Sequence, residues 1–172
     1  MWNLVCPRLY VESIFAIPLD DIWRRGIRGL IFDVDNTLTG WRGKELDAET
    51  LQWFGNLAER GFQICLVSNS GQQERVMAFG RLLNVCAIPR AYKPMGRAFR
   101  EALKKLKTGP ASTAVIGDQI FTDVLGGNRL GLYTILVVPL SKREFIGTKC
   151  VRLLERLVLK ALARRNLLRN QV

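Results

Sequence analysis

The 172-residue chain contains no histidine. That absence removes Ser-His-Asp and Cys-His nucleophile activation, His-ligated zinc and phosphohistidine chemistry. Any catalysis must therefore run on carboxylates, lysine or hydroxyls. Cysteine is scarce and scattered: Cys6, Cys65, Cys86 and Cys150, with no C-x-x-C spacing. The settings Ile64-Cys65-Leu66 and Val85-Cys86-Ala87 read as buried reduced thiols, so neither a disulfide framework nor a zinc cluster is expected, and a reducing, cytoplasmic setting is. No uninterrupted apolar run is long enough to span a bilayer; the strongest, Thr134 to Leu140, is strand-sized. The start Met1-Trp2-Asn3-Leu4 lacks a charged segment followed by an apolar one, so no secretory signal is evident.

Hydrophobic residues make up 48% of the chain and charged residues 24%. That balance suits one globular domain with a buried core and argues against disorder. Basic residues outnumber acidic ones 26 to 15, a net +11. The excess is concentrated beyond residue 141, where nine Lys and Arg face only Glu144 and Glu155, leaving +7 there. A polyanionic partner is expected at this tail.

Between these ends, β-rich runs alternate with helical stretches. Strands are predicted at 28–33, 62–67, 113–116 and 133–138, with a short apolar run at 85–88. Helices are predicted at 48–60, 72–83, 94–107 and 121–130, two of them closed by Gly61 and Gly131. Runs continuous in Ile, Val, Leu and Phe are those of strands buried on both faces, which points to an α/β fold with a parallel sheet wrapped by helices. The expected division is an N-terminal segment over 1–27 packing on the core, a core over 28–140, and a basic amphipathic C-terminal helix over 141–172.

Ligands of open parallel sheets bind outside the carboxyl ends of the strands. The first strand ends in Asp33-Val34-Asp35-Asn36-Thr37 and the second in Ser68-Asn69-Ser70. The third run leads to Lys93-Pro94, and the fourth strand ends in Gly117-Asp118, with Asp123 a helical turn further on. Taken singly, each has a bland reading: Asp and Asn form turns, Ser68 or Asp118 caps a helix, Lys93 is a solvated charge. Together they fit phosphoryl transfer with magnesium. Asp33 and Asp35, two apart on extended chain, project to the same side, one to attack and one to handle a proton. Asp118 and Asp123 add hard oxygen ligands for Mg²⁺, while Ser68 and Lys93 face the transferring oxygens.

These segments resemble the motifs of the haloacid dehalogenase (HAD) superfamily. Asp33-Val34-Asp35-Asn36-Thr37-Leu38 is similar to motif I, Val67-Ser68-Asn69 to motif II, Lys93-Pro94 to motif III, and Gly117-Asp118-Gln119 with Thr122-Asp123 to motif IV. The resemblance runs from about Leu30 to Leu132. It implies a Rossmann-like HAD fold with Asp33 as the nucleophile forming an aspartyl-phosphate and Asp35 as general acid, then base. It further implies Ser68, Asn69 and Lys93 around the phosphoryl group. The Mg²⁺ set would be Asp33, Asp35 (through its backbone carbonyl), Asp118 and Asp123. Aspartate at position 35 favours the phosphatase branch.

Members often carry a cap inserted after motif I or II. Here the intervals from Thr37 to Ser68 and from Ser68 to Lys93 are filled by helices of the sheet, so no large cap domain is expected and the site admits phosphates on something large. In the tail, Arg152, Arg156, Lys160 and Arg164 recur at i+4 as one basic stripe, with Leu154, Leu157, Val158, Ala161 and Leu162 on another side. Such a helix suits an anionic leaflet, or it docks on the sheet with a solvated basic back. The stretch Thr122 to Gly131 also resembles the IIIA-type, phosphatidylglycerophosphate phosphatase branch. The expectation is thus a Mg²⁺-dependent phosphomonoesterase acting on an anionic phospholipid, cytoplasmic and peripheral on the inner face of the membrane, with no obligatory protein partner. Two alternatives stay open: the same chemistry on a nucleic-acid end or phosphoprotein, and a basic RNA- or ribosome-binding protein on a HAD fold. The apolar N-terminal runs either anchor the chain or cover the sheet edge.

Overall fold

The computed structural model describes residues 2–141, 146–165 and 167–168. Six strands, β1 (Leu9–Val11), β2 (Gly29–Phe32), β3 (Gln63–Val67), β4 (Cys86–Ile88), β5 (Thr113–Gly117) and β6 (Tyr133–Val137), form one sheet in the order β1-β6-β5-β2-β3-β4. Every pairing is parallel. The helices are α1 (Leu19–Arg24), α2 (Ala48–Glu59), α3 (Gln73–Leu82), α4 (Gly96–Leu106), α5 (Leu125–Arg129) and α6 (Ile146–Arg164). Among the described residues, no helix is long and apolar enough to cross a membrane.

The continuous apolar strands are buried on both faces, as a parallel sheet requires. Leu30 and Phe32 of β2, Ile64 and Leu66 of β3 and Ile116 of β5 join one core with Phe54 and Leu57 of α2 and Phe79 of α3. The alternate residues Ile31, Cys65 and Val115 turn the other way onto Phe99, Ala102 and Leu103 of α4. The result is a sheet between two helical layers. Asp47 caps α2 by accepting from the Thr50 amide at 2.7 Å. Gly61 and Gly131 take positive φ where their helices end, as the sequence suggests, whereas α4 is closed by the left-handed Lys107.

Three features depart from the sequence reading. Leu9–Val11 supplies an edge strand, which so short a run does not announce. Cys65 and Cys86 are not isolated thiols: parallel register sets them opposite one another on β3 and β4, Cα atoms 4.6 Å apart, and joins their sulfurs. The helix expected over 121–130 begins as a π-helical turn, Ile120–Val124, before continuing as α5.

The strand order places the site. From β2 the chain runs outward to β3 and β4, then crosses to the other side of β2 for β5 and β6, where β1, the first strand of the chain, forms the edge, so adjacent connections diverge at the carboxyl end of β2. One helix, α2, lies between β2 and β3, and one, α3, between β3 and β4; no cap is inserted in either interval.

Candidate active site

Asp33 follows directly on β2, and its backbone amide donates to the Ile116 carbonyl at 2.8 Å, pinning it against the end of β5. Lys93 reaches it from the loop after β4. The Lys93 Nζ lies 2.5 Å from Asp33 Oδ1 and 2.7 Å from Asp123 Oδ1, with all three side chains buried or nearly so. The backbone of Lys93 is held in turn by Asn69, whose Oδ1 accepts from the Lys93 amide at 2.7 Å and whose Nδ2 donates to the Lys93 carbonyl at 3.1 Å. Asn69, expected to bind phosphate, therefore has both amide atoms engaged in placing the lysine. Ser68, buried at the end of β3, accepts from the Ser70 amide at 3.1 Å.

Asp118 stands one residue beyond β5, and Asp123 sits in the π-helical turn, a kind of distortion frequent at functional sites. Asp123 Oδ2 accepts from the Thr122 hydroxyl at 3.1 Å and the Gln119 amide at 3.3 Å, leaving Oδ1 to Lys93. Oxygens of Asp33, Asp118 and Asp123 all lie within 4.8 Å of one another. Asp118 Oδ1 is buried and has no hydrogen-bond partner. Three buried carboxylates with an orphaned oxygen fit a hard divalent cation of the Mg²⁺ kind. The electrostatics agree. Burial pushes the Asp33 carboxyl up to about 6, with the Asp123 and Asp35 charges adding to the rise and Lys93 opposing it. Burial and then the Asp33 charge push Asp118 up as well. For Lys93, burial works against its charge, yet the Asp123 and Asp33 carboxylates outweigh it and raise the ammonium.

Asp35 is placed differently. Its carboxylate oxygens lie 2.7 and 2.8 Å from Arg75 Nη2, and Oδ1 also accepts from the Arg42 amide at 2.9 Å. It adjoins the three-carboxylate cluster without belonging to it.

A HAD-hydrolase-like family model matches residues 91–138, the segment carrying Lys93, Asp118 and Asp123. The probable phosphatase YqeG of Bacillus subtilis is 39% identical over 159 residues, covering 92% of each chain. The chain belongs to the HAD superfamily of phosphatases. This HAD chain is also similar to the chloroplastic/mitochondrial phosphatidylglycerophosphate phosphatase 1 of Arabidopsis thaliana, 31% identical over 181 residues, of which it spans half the length. Among solved structures, the cobalt-bound deoxy-D-mannose-octulosonate 8-phosphate phosphatase of Haemophilus influenzae shares the HAD fold at a TM-score of 0.55. Its identity is 17%, over 81% of this chain and 88% of that one.

Three residues of this HAD site escape the sequence reading. Arg75 comes from α3. Arg152 and Glu155 come from α6: Arg152 Nη2 pairs with Asp118 Oδ2, Arg152 Nη1 donates to the Asp118 carbonyl at 2.6 Å, and Glu155 Oε1 accepts from the Ile120 amide at 2.6 Å. Arg152 was expected on an outward basic stripe and instead turns inward. The one signal that could have flagged the pair is Glu155, the sole acid in an otherwise basic helix.

Proposed function

We propose that this HAD phosphatase removes the terminal phosphate of phosphatidylglycerophosphate at an anionic membrane surface, releasing phosphatidylglycerol and inorganic phosphate. Asp33 Oδ attacks phosphorus and the bond to the lipid oxygen breaks, while Asp35 gives that oxygen its proton. Asp35 then takes a proton from water as the water attacks the aspartyl-phosphate, and phosphate leaves. Lys93 offers its ammonium to the phosphoryl oxygens, and Ser68 its hydroxyl. Asp33, Asp118 and Asp123, with the Asp35 backbone, would hold a Mg²⁺ whose charge offsets that of the clustered carboxylates and the incoming phosphate dianion.

The observation that carries the lipid assignment is the surface around the uncapped site. Tyr92 and Met95, flanking Lys93, are 67% and 68% exposed, and Leu140, whose amide bonds the Asn36 carbonyl, is also exposed. On α6, Val158 and Leu159 pack inward with the buried Leu162, while Leu153, Leu154 and Leu157 face outward beside Arg156, Lys160 and Arg164. Lys142, Arg143 and Arg169 lie outside the described residues, as does the Lys149 side chain. Exposed leucines interleaved with basic residues suit the boundary of an anionic bilayer. The Arabidopsis relative's name supports the same substrate.

The test is a panel of phosphomonoesters with Mg²⁺: phosphatidylglycerophosphate in mixed micelles, nucleotides, sugar phosphates, a phosphopeptide and a 5′-phosphorylated RNA. Fastest release from the lipid, abolished by EDTA, is expected. Faster release from any soluble substrate or from the RNA overturns the lipid assignment.

A further inference from the structure

Helix α6 lies far along the chain from the residues that do the chemistry, yet its inner face ends inside their cluster. Among the described residues, Arg152 meets there the Asp118 carboxylate, the Asp118 carbonyl at 2.6 Å, and Glu155 Oε2 at 2.9 Å. Glu155 spends its other oxygen on the amides of Ile120 at 2.6 Å and Phe121 at 3.3 Å. Both side chains are mostly withdrawn from water, and Asp118 is wholly so. Burying an ion pair is costly unless every donor and acceptor is matched, so this arrangement is poor value as mere stabilisation. What it does is divide Asp118 in two. Oδ2 is taken by the guanidinium, and Oδ1 is left buried without a hydrogen-bond partner, on a carboxylate that comes within 4.8 Å of those of Asp33 and Asp123.

We infer that Arg152, braced by Glu155, is a positioning residue that presents Asp118 Oδ1 to the divalent cation, so that α6 is part of the active site. The inference rests on the reading of Asp33, Asp118 and Asp123 as the cation's ligands. A guanidinium fork suits the task because it fixes a carboxylate and a neighbouring carbonyl from one rigid plane, which a lysine ammonium does not. Charge alone would act the other way: removing a cation from beside Mg²⁺ would tighten Mg²⁺ binding. The two effects differ in sign.

Mg²⁺ titrated calorimetrically into the full chain without substrate separates them. Wild type is compared with Arg152→Ala, Arg152→Lys and Glu155→Gln, and folding is checked by circular dichroism. Partners that orient a ligand typically govern about 10- to 100-fold in metal affinity, so Arg152→Ala is expected to bind Mg²⁺ about tenfold or more weakly. Arg152→Lys, which keeps the charge and loses the fork, is also expected to weaken it, and decides the matter should the alanine variant not fold. Unchanged or tighter Mg²⁺ binding in the folded Arg152 variants overturns the inference while leaving the cation site standing. Absence of Mg²⁺ binding in wild type overturns both.

Discussion

Arg75 grips Asp35 with a single nitrogen: Nη2 lies 2.7 Å from one carboxylate oxygen and 2.8 Å from the other. The same guanidinium donates through Nη1 to the Gly43 carbonyl at 2.8 Å, so α3 is tied both to Asp35 and to the loop that follows it.

Arg75→Ala should therefore lower kcat while leaving the Mg²⁺ requirement intact. Positioned acid–base groups contribute roughly 10²- to 10⁴-fold to rate, so loosening one costs about tenfold or more. The loss should be larger for a lipid or alkyl phosphate, whose leaving oxygen needs a proton, than for p-nitrophenyl phosphate, whose does not. Equal losses on both substrates would show that Arg75 does not act through the proton Asp35 gives to the leaving oxygen.

Gly117 closes β5 under Asp123. A Cβ there would overlap the Asp123 carboxylate. Gly117→Ala should displace Asp123 from Lys93 and cut turnover at least about tenfold, by the same reckoning that small misplacements of reacting groups are costly. Steady-state rates on a soluble phosphomonoester check this.

The buried acids set the pH dependence of stability. Asp33 holds its proton up to about 6 in the folded chain against 3.8 ordinarily, and Asp118 and Glu155 shift the same way. The folded state thus binds more protons than the unfolded one. The cation-free protein should lose stability as pH rises from about 4 to about 6, the contribution being fully present below that window. Mg²⁺ competes with those protons, so its stabilisation should grow over the same rise. At a hundredfold excess over Kd, the melting temperature should climb by roughly 5–10 °C near neutral pH and by little near pH 5. Thermal melts with Mg²⁺ and with EDTA at the two pH values measure both effects.

The outward leucines of α6 carry the docking proposal. Burying a leucine fully gives roughly 1.5–3 kcal/mol, so changing Leu153, Leu154 and Leu157 together to Gln should lower partitioning onto phosphatidylglycerol vesicles at least tenfold. Co-sedimentation measures it, and hydrolysis of a soluble phosphomonoester separates docking from chemistry. Undiminished binding by the triple variant would remove α6 as the membrane contact.

Much of this was legible in the residues. β2, β3, β5 and β6 are announced by continuous apolar runs, because strands buried on both faces need no polar alternation. The acids and the lysine could be gathered on one rim because each follows the end of a strand. What stayed hidden depends on register or on distant elements. β1 has three residues, too few to show a period. The meeting of Cys65 with Cys86 follows from strand register, which no local spacing encodes. Arg75 and Arg152 meet their partners across 40 and 34 residues of chain. On α6, an i+4 repeat of basic residues reads as one solvated stripe, but helix docking turns Arg152 inward and leaves Leu154 and Leu157 outside.

The most direct test of the account is phosphate release by Asp33→Asn, assayed with Mg²⁺ beside wild type on phosphatidylglycerophosphate and on p-nitrophenyl phosphate. With folding verified by circular dichroism, turnover of both substrates should fall at least about 10³-fold, since the amide cannot form the aspartyl-phosphate. Release within a few-fold of wild type on either substrate would contradict Asp33 as the phosphoryl acceptor.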